Sequence, residues 1–223
     1  MENKQEYEQY RMLSKGAQAE LVEKKSRFIA TVRPVKTEEE AQAFIEEMKK
    51  KYWDARHNCY AYSIGEHREF TRCSDDGEPS GTAGRPMLDV ILGEDIYNVA
   101  VVVTRYFGGV LLGTGGLVRA YSGAVQAGLG ESTVIEKHHG ISLALTADYT
   151  AIGKLQYIAA ENQLPVLDTE YTDKVIMHLL VPNDQVGRIQ KVITEATSGR
   201  IKMEKEKELY FADVEGEIKV FDH

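Results

Sequence analysis

Apolar residues recur at regular spacing through the second half of the chain. Ile152, Leu155 and Ile158 lie three residues apart, which predicts one face of a helix. Short apolar runs bounded by turn-forming residues predict strands. The predicted elements are a strand over 140–147, a helix over 150–162, strands over 164–171 and 174–181, a helix capped by Asn183 or Asp184 that ends at Gly199, and a strand over 200–211. This β-α-β-β-α-β order is that of a ferredoxin-like split βαβ unit.

The first half of the chain also mixes strand and helix patterns. Thr37 and Glu40 match a capping box that opens a helix, and the run VAVVVT over 99–104 predicts a central strand buried on both faces. Gly123 and Gly128 lower helix propensity, so we expect their helix to pack closely against a sheet. The predicted elements are strands over 19–33, 57–64 and 68–73, a short helix after Pro86, the strand over 99–104, a long helix from about Thr114, and a strand over 133–137.

Together these elements predict an α+β protein of two domains. A chain of 223 residues is long enough to form two small hydrophobic cores. The patterns place the domains over residues 1–137 and 138–223, with a linker near residues 137–139.

Composition and charge narrow the possible functions. The chain is 43% hydrophobic and has a net charge of −8, which argues against indiscriminate binding of polyanions. A role in nucleic-acid binding therefore requires a local basic patch. The sequence has no apolar run long enough to span a membrane, and its N-terminus is too polar for a signal peptide, so we expect a cytoplasmic protein. Cys59 and Cys73 are expected to be reduced and structural.

The first glycine-rich stretch, DDGEPSGTAGRP over 75–86, combines carboxylates with turn-forming residues. Asp75, Asp76 and Glu78 are residue types that bind hard divalent cations, but their spacing fits no calcium loop. The other reading is a long structured turn, in which the aspartate side chains bind backbone N–H groups. No metal or cofactor is predicted on the favoured reading.

The second stretch, TRYFGGVLLGTGGLVRAY over 104–121, has glycines at a predicted helix start. Backbone N–H groups there favour anions, and arginine side chains bind phosphate through paired hydrogen bonds. The stretch is either an anion-facing surface on which three arginines converge, or a set of structural turns with solvated arginines. The candidate anion- or RNA-binding residues are Arg85, Arg105, Tyr106, Phe107, Gly108, Gly109, Gly113, Thr114, Gly115, Gly116 and Arg119.

Aromatic and nucleophilic residues add little further chemistry. Tyr106 and Phe107 either stack on bases or close the mouth of the core. Trp53, at the end of the capped helix, is predicted to be a core residue. No pattern pairs a nucleophile with a base, so no catalytic residue is predicted.

The two stretches, with RHNCYAY over 56–62 upstream, closely resemble the signature of the IMPACT family. The resemblance covers about residues 15–137 and implies the fold of the second domain of ribosomal protein S5. The second half resembles the ferredoxin-like module of bacterial members, which is similar to a C-terminal domain of elongation factor G. The motif positions are Asp75, Asp76, Gly77, Glu78, Pro79, Gly81, Thr82, Gly84, Pro86, Arg105, Tyr106, Gly108, Gly109, Gly113, Gly116, Arg119 and Tyr121.

The resemblance implies translation-linked regulation, with RNA, the ribosome or a translation-related protein as partner. The resemblance implies that eukaryotic relatives restrain the amino-acid-starvation kinase pathway and carry an extra RWD domain. We expect this chain to lack that domain, so that partner is not carried over. The alternative is a phosphate- or nucleotide-binding enzyme, with the loop 113–116 as anion cradle and Asp75, Asp76 or Glu78 holding Mg²⁺. A protein–protein adaptor is a third reading. The carboxylates of the first stretch are expected to position the arginines of the second.

Overall fold

The computed structural model describes residues 9–65, 67–214 and 216–221. The chain divides between Glu136 and Lys137 into two compact units. We call Tyr10–Glu136 the N-terminal unit and the part from Lys137 onward the C-terminal unit. Each unit combines helices with an antiparallel sheet, which confirms the α+β fold class. None of the described helices is long and apolar enough to cross a lipid bilayer.

The N-terminal unit is built on a five-stranded antiparallel sheet. The elements are β1 (Gln9–Lys15), β2 (Gln18–Glu23), β3 (Ser26–Pro34), α1 (Glu38–Lys51), β4 (His57–Ile64), β5 (Phe70–Ser74), α2 (Gly84–Gly93), β6 (Ile96–Tyr97), β7 (Val99–Tyr106) and α3 (Gly113–Gly130). The strand order of the sheet is β2-β3-β7-β4-β5. The short strand β6 pairs in parallel with β1.

Helices cover both faces of this sheet, and β7 lies at its centre. Phe44 and Met48 of α1 pack on one face, against Val102 of β7. Helices α2 and α3 pack on the other face, where Val101 and Tyr121 belong to the same apolar cluster. Because both faces are covered, β7 is buried along nearly its whole length, as its β-branched run predicts.

Two local predictions in this unit are confirmed. The Thr37 hydroxyl accepts a hydrogen bond from the Glu40 backbone N–H at 3.2 Å, so Thr37 caps α1. In a capping box the Glu40 carboxylate would accept from the N–H of Thr37. Here it accepts instead from the N–H of the preceding residue, Lys36, at 2.7 Å. A β-carbon on Gly128 would lie 2.9 Å from Val32 Cγ2, so α3 does pack closely on the sheet.

The single strand predicted over 19–33 is wrong, because the chain reverses within it. Lys24 and Lys25 both adopt a left-handed conformation, with φ values of 44° and 67°, and join β2 to β3 as a two-residue hairpin turn. Such turns usually contain asparagine or glycine. The apolar alternation continues through both strands, so periodicity alone did not reveal the reversal.

The C-terminal unit combines α-helices with antiparallel strands. The elements are β8 (Thr133–Ala147), which begins in the N-terminal unit, α4 (Ile152–Glu161), β9 (Val166–Tyr171), β10 (Val175–Pro182), α5 (Val186–Thr197), β11 (Lys202–Val214) and β12 (Glu217–Phe221). The strand order is β9-β10-β8-β11-β12, with every neighbouring pair antiparallel. Leu155 of α4 and Ile189 of α5 pack with Leu143 and Leu179 of the sheet in one apolar cluster.

Two predictions about this unit are wrong. Residues 137–139 lie inside strand β8 rather than in a linker, and His139 is buried with its ring 5.3 Å from that of Tyr210. The polar residues 137–139 can therefore form part of a strand, because the His139 ring packs on the Tyr210 ring of the neighbouring strand. Neither Asn183 nor Asp184 caps α5 through its side chain, because a 3₁₀ turn over Asn183–Gln185 leads into the helix.

Candidate functional site

Strand register brings the two glycine-rich stretches together at one end of the N-terminal sheet. His57 at the start of β4 lies opposite Arg105 near the end of β7, and Arg27 near the start of β3 lies opposite Tyr106. Strand β5 ends at the same side, at Ser74, where the first stretch begins. Residues far apart in the sequence therefore share this end of the sheet.

The Asp75 carboxylate folds the first stretch onto itself. Its Oδ1 accepts from the Ala83 and Gly84 N–H groups at 2.9 and 2.8 Å, and its Oδ2 accepts from the Gly81 N–H at 2.8 Å. Burial opposes ionisation, but these three N–H groups outweigh it and lower the pKa of Asp75 below its usual value. Asp75 is therefore an anchor of the loop and is ionised at neutral pH.

The lowered pKa of Asp75 predicts a loss of stability in acid. Its contribution is present above the pKa of an unfolded aspartate, about 4, and is lost as the pH falls through the lower folded value. We expect Asp75→Asn to lower the free energy of unfolding by about 1–2 kcal/mol at pH 7, because solvent screens this half-buried group. Urea unfolding at pH 7 and pH 3 tests this. A loss of unfolding free energy in Asp75→Asn that is equally large at pH 3 would contradict the prediction. Asp89→Asn, at an exposed position, is the control and should change stability little.

Asp76 and Glu78 are also engaged by protein donors. Asp76 Oδ2 accepts from the Asn58 N–H at 2.6 Å. Glu78 Oε1 accepts from Arg105 Nη1 at 2.6 Å and from the Tyr121 hydroxyl at 2.8 Å, and the Glu78 and Arg105 side chains are only 3% and 7% exposed. Glu78 thus positions Arg105, as expected, whereas Asp75 and Asp76 bind backbone N–H groups and position no arginine.

The carboxylates of the alternative Mg²⁺ site accept hydrogen bonds from protein donors. Both oxygens of Asp75 are taken by backbone N–H groups, and Glu78 is held by a buried cation. Within the described part of the chain, no three or more His, Cys, Asp and Glu side chains form a group that could hold a metal ion. The contacts of Asp75 and Asp76 with backbone N–H groups are those that the structured-turn reading predicts.

The three arginines do not form one exposed surface. Arg105 lies in the protein interior, beside Glu78 and with its guanidinium carbon 5.4 and 5.7 Å from the rings of Phe28 and Phe107. Its charge is balanced there, so it is not an exposed ligand for an anion. Arg85 is exposed and pairs with Asp89 at 2.7 Å, and Arg119 is exposed on α3.

The N-terminus of α3 is open to solvent. Gly113 begins the helix, Thr114 and Gly115 are exposed, and no side chain caps the first turn. The first turn also lacks acidic residues, so its positive end is not neutralised by one. Binding of an anion by Gly113, Thr114, Gly115 and Gly116 stays a prediction.

Cys59 contacts the first glycine-rich stretch at Asp75, and its surroundings make it unreactive. Its Sγ lies 3.0 Å from the Asp75 carbonyl oxygen and 3.4 Å from the Tyr121 hydroxyl. Burial raises the pKa of Cys59 to about 12. A thiol with this pKa is protonated at neutral pH and is a poor nucleophile.

Two glycines of the family motif are required by close backbone contacts. A β-carbon on Gly84 would lie 2.7 Å from the backbone of Ser74, and one on Gly108 would lie 2.0 Å from the carbonyl carbon of Lys25. The Gly108 N–H also donates to the Ser26 hydroxyl at 3.2 Å. The Gly108 contacts join the loop after β7 to the β2–β3 turn, and the Gly84 contact joins the start of α2 to the end of β5. Close backbone approach therefore explains both glycines without a ligand.

Exposed residues that sequence reasoning missed lie at the same end of the sheet. Trp53 is 82% exposed, so its prediction as a core residue is wrong. The neighbouring Asp54 accepts from the Tyr106 hydroxyl at 2.7 Å, which fixes the segment beside β7. We call the following residues the sheet-end surface: Lys24, Lys25, Trp53, Arg56 and Phe107.

The cations of the sheet-end surface are not held in ion pairs. Lys24, Lys25 and Arg56 are exposed and form no ion pair with any residue that the structure describes. Of the nearby carboxylates, Asp54 accepts from the Tyr106 hydroxyl, Asp76 accepts from the Asn58 N–H, and Glu23 is exposed. The charged flanks of Trp53, in KKKYWDAR, were the sequence signal that it is not a core residue.

Comparison with known proteins gives consistent matches over both units. The Impact N-terminal domain model matches residues 24–129, and a domain of unknown function, DUF1949, matches residues 145–200. IMPACT family member YvyE of Bacillus subtilis is 40% identical over 92% of this chain and 94% of its own. IMPACT family member YigZ of Escherichia coli is 33% identical over 81% of this chain and 89% of its own.

The chain is also similar to a eukaryotic protein and to a solved structure. Mouse Protein IMPACT is 37% identical over 42% of this chain, which corresponds to 30% of the mouse protein. A crystal structure titled as that of a hypothetical protein is 30% identical, covers 90% of this chain and 98% of its own, and superposes with a TM-score of 0.57.

Proposed function

This chain belongs to the IMPACT family, and from that membership we propose that it is a non-enzymatic regulator linked to translation. In this proposal the N-terminal unit contacts RNA or the ribosome in the cytoplasm. The single observation that carries the proposal is the sheet-end surface, where exposed, unpaired Lys24, Lys25 and Arg56 lie beside exposed aromatic rings. The open N-terminus of α3 adds a second place for a phosphate.

The domain assignments support this function by analogy. We propose that residues 1–137 have the fold of the second domain of ribosomal protein S5, and that residues 138–223 have a ferredoxin-like fold resembling an elongation factor G module. The strand order β9-β10-β8-β11 and the placement of α4 and α5 in one apolar cluster support the second assignment. Both folds occur in translation proteins, but a fold alone does not assign a function.

Charge reversal in the β2–β3 turn tests the proposal. We expect wild-type protein to retain cellular RNA or to co-sediment with ribosomes at low salt. Lys24→Glu/Lys25→Glu should weaken binding by about tenfold or more, and should reduce the slope of log affinity against log salt by about 1.4, because two phosphate contacts are lost.

A matched control separates local contact from net charge. Lys174→Glu/Lys191→Glu makes the same charge change at exposed positions of the C-terminal unit and should leave binding nearly unchanged. If the wild-type protein binds neither RNA nor ribosomes at low salt, or if both double variants weaken binding equally, the proposed surface is wrong.

The alternative of a phosphate- or nucleotide-binding enzyme rests on one observation, the open start of α3 at Gly113–Gly116. It is weakened because Asp75, Asp76 and Glu78 are all hydrogen-bonded to protein donors. A thermal shift on addition of ATP or GTP with Mg²⁺ would favour it, since a ligand at 100 times its Kd stabilises a protein by about 2.7 kcal/mol.

A further inference from the structure

We propose that the sheet-end surface binds single-stranded RNA, with Trp53 as a platform on which a base stacks. This inference rests on the proposed function and names its ligand class. Large aromatic side chains are usually buried, yet Trp53 is 82% exposed and Phe107 is 48% exposed. Both rings belong to segments at the end of β7. Asp54, next to Trp53, accepts a hydrogen bond from Tyr106, the last residue of β7, and Phe107 directly follows Tyr106.

The Trp53 segment is held in place by defined contacts on both sides. Before it, the Tyr52 N–H donates to the Met48 carbonyl, and after it the Ala55 N–H donates to the Tyr52 carbonyl at 3.0 Å. The Asp54 carboxylate is fixed by the Tyr106 hydroxyl at 2.7 Å. A ring exposed on a fixed turn loses little conformational freedom when a ligand covers it, which favours stacking over loose contact.

The mixture of exposed rings and unpaired cations selects single strands over duplexes. Bases in a duplex are already stacked on each other, so an exposed indole gains no new contact from them. Unpaired bases present their faces, and stacking on an aromatic side chain is tolerant of sequence. Lys24, Lys25 and Arg56 are placed to contact the phosphates of the same strand.

The Trp53 fluorescence provides a direct test, because it is the only tryptophan in the chain. The probes are a mixed-sequence single-stranded RNA of about 12 nucleotides, the duplex with its complement, and inorganic polyphosphate. We expect the single strand to quench the Trp53 emission and to bind at least about tenfold more tightly than the duplex. Polyphosphate should bind through charge alone and leave the emission nearly unchanged.

Variants read by the anisotropy of labelled RNA complete the test. Trp53→Ala should weaken single-strand binding by about 5-fold to 100-fold, and Trp53→Phe should retain most of the affinity. Tyr157→Ala removes another exposed ring, 65% exposed on α4, and should have no effect. Because Trp53 and Tyr157 are exposed, neither variant removes a core contact, and circular dichroism verifies their folding.

The outcomes separate this inference from the proposed function. If RNA binds and depends on Lys24 and Lys25, but Trp53→Ala binds equally well or the duplex competes equally, the stacking inference is overturned while the function stands. If the wild-type protein binds neither RNA nor ribosomes at low salt, both are overturned. Binding to ribosomes that persists without any affinity for the RNA probes would point to a protein partner and overturn the stacking inference.

Discussion

Replacing Glu78 with alanine is expected to lower the free energy of unfolding of the N-terminal unit by about 3–5 kcal/mol, because it leaves the Arg105 charge buried without a partner. The Tyr121 hydroxyl loses its acceptor in the same variant. Urea unfolding followed by circular dichroism measures the effect. Arg85→Ala, which breaks an exposed ion pair with Asp89, should change stability little.

A double variant separates charge from packing in this prediction. Glu78→Gln keeps an acceptor for Tyr121 but leaves Arg105 charged, whereas Glu78→Gln/Arg105→Met removes both charges. We expect the double variant to be more stable than Glu78→Gln alone, since a buried cation without its anion is more costly than an apolar side chain. A loss below about 1 kcal/mol for Glu78→Ala would contradict the buried pair. Arg105→Ala is accordingly unsuited to testing RNA contact, since it would leave Glu78 buried without its cation and destabilise the unit that carries the surface.

Gly108→Ala is expected to lower the free energy of unfolding by about 3 kcal/mol. Its β-carbon would lie 2.0 Å from the Lys25 carbonyl carbon and 2.4 Å from the Ser26 nitrogen, and both obstacles are backbone atoms that cannot rotate away. The hairpin would have to move, and the bond from the Gly108 N–H to Ser26 would be lost. Thermal unfolding provides the measurement.

Gly115→Ala is the matched control for Gly108→Ala. A β-carbon there would meet only Arg119 Nη1 at 3.7 Å, and alanine favours a helix over glycine. Its stability should be unchanged or slightly raised. Equal losses for the two variants would show that glycine is required at Gly108 for a reason other than this close contact.

Sequence reasoning was strongest where structure depends on neighbouring residues. The cap of α1 by Thr37 spans three residues, and the burial of β7 follows from one unbroken β-branched run. The close helix–sheet contact at Gly128 could be expected because glycine destabilises a helix. Packing that requires the absence of a side chain offsets that loss. These features are set by local propensity and periodicity, which a single sequence displays.

The candidate site was harder to predict because its contacts join distant residues. Asp76 binds the backbone of Asn58, 18 residues away, and Glu78 binds Arg105, 27 residues away. Reading the first stretch alone left metal binding open, because nothing local indicates which donor takes each carboxylate. Trp53 was misassigned because a tryptophan is usually buried, and only its Asp54–Tyr106 tether reveals that the segment lies at a strand end.

The β2–β3 turn indicates a compromise between folding stability and charge. Lys24 and Lys25 both occupy the left-handed region, which costs a non-glycine residue about 1–2 kcal/mol. An Asn-Gly pair would form the same turn with less strain. The two lysines therefore lower the folding stability of the hairpin while they place two ammonium groups at a turn that faces solvent. The packing of the sheet next to the turn offsets this loss of stability.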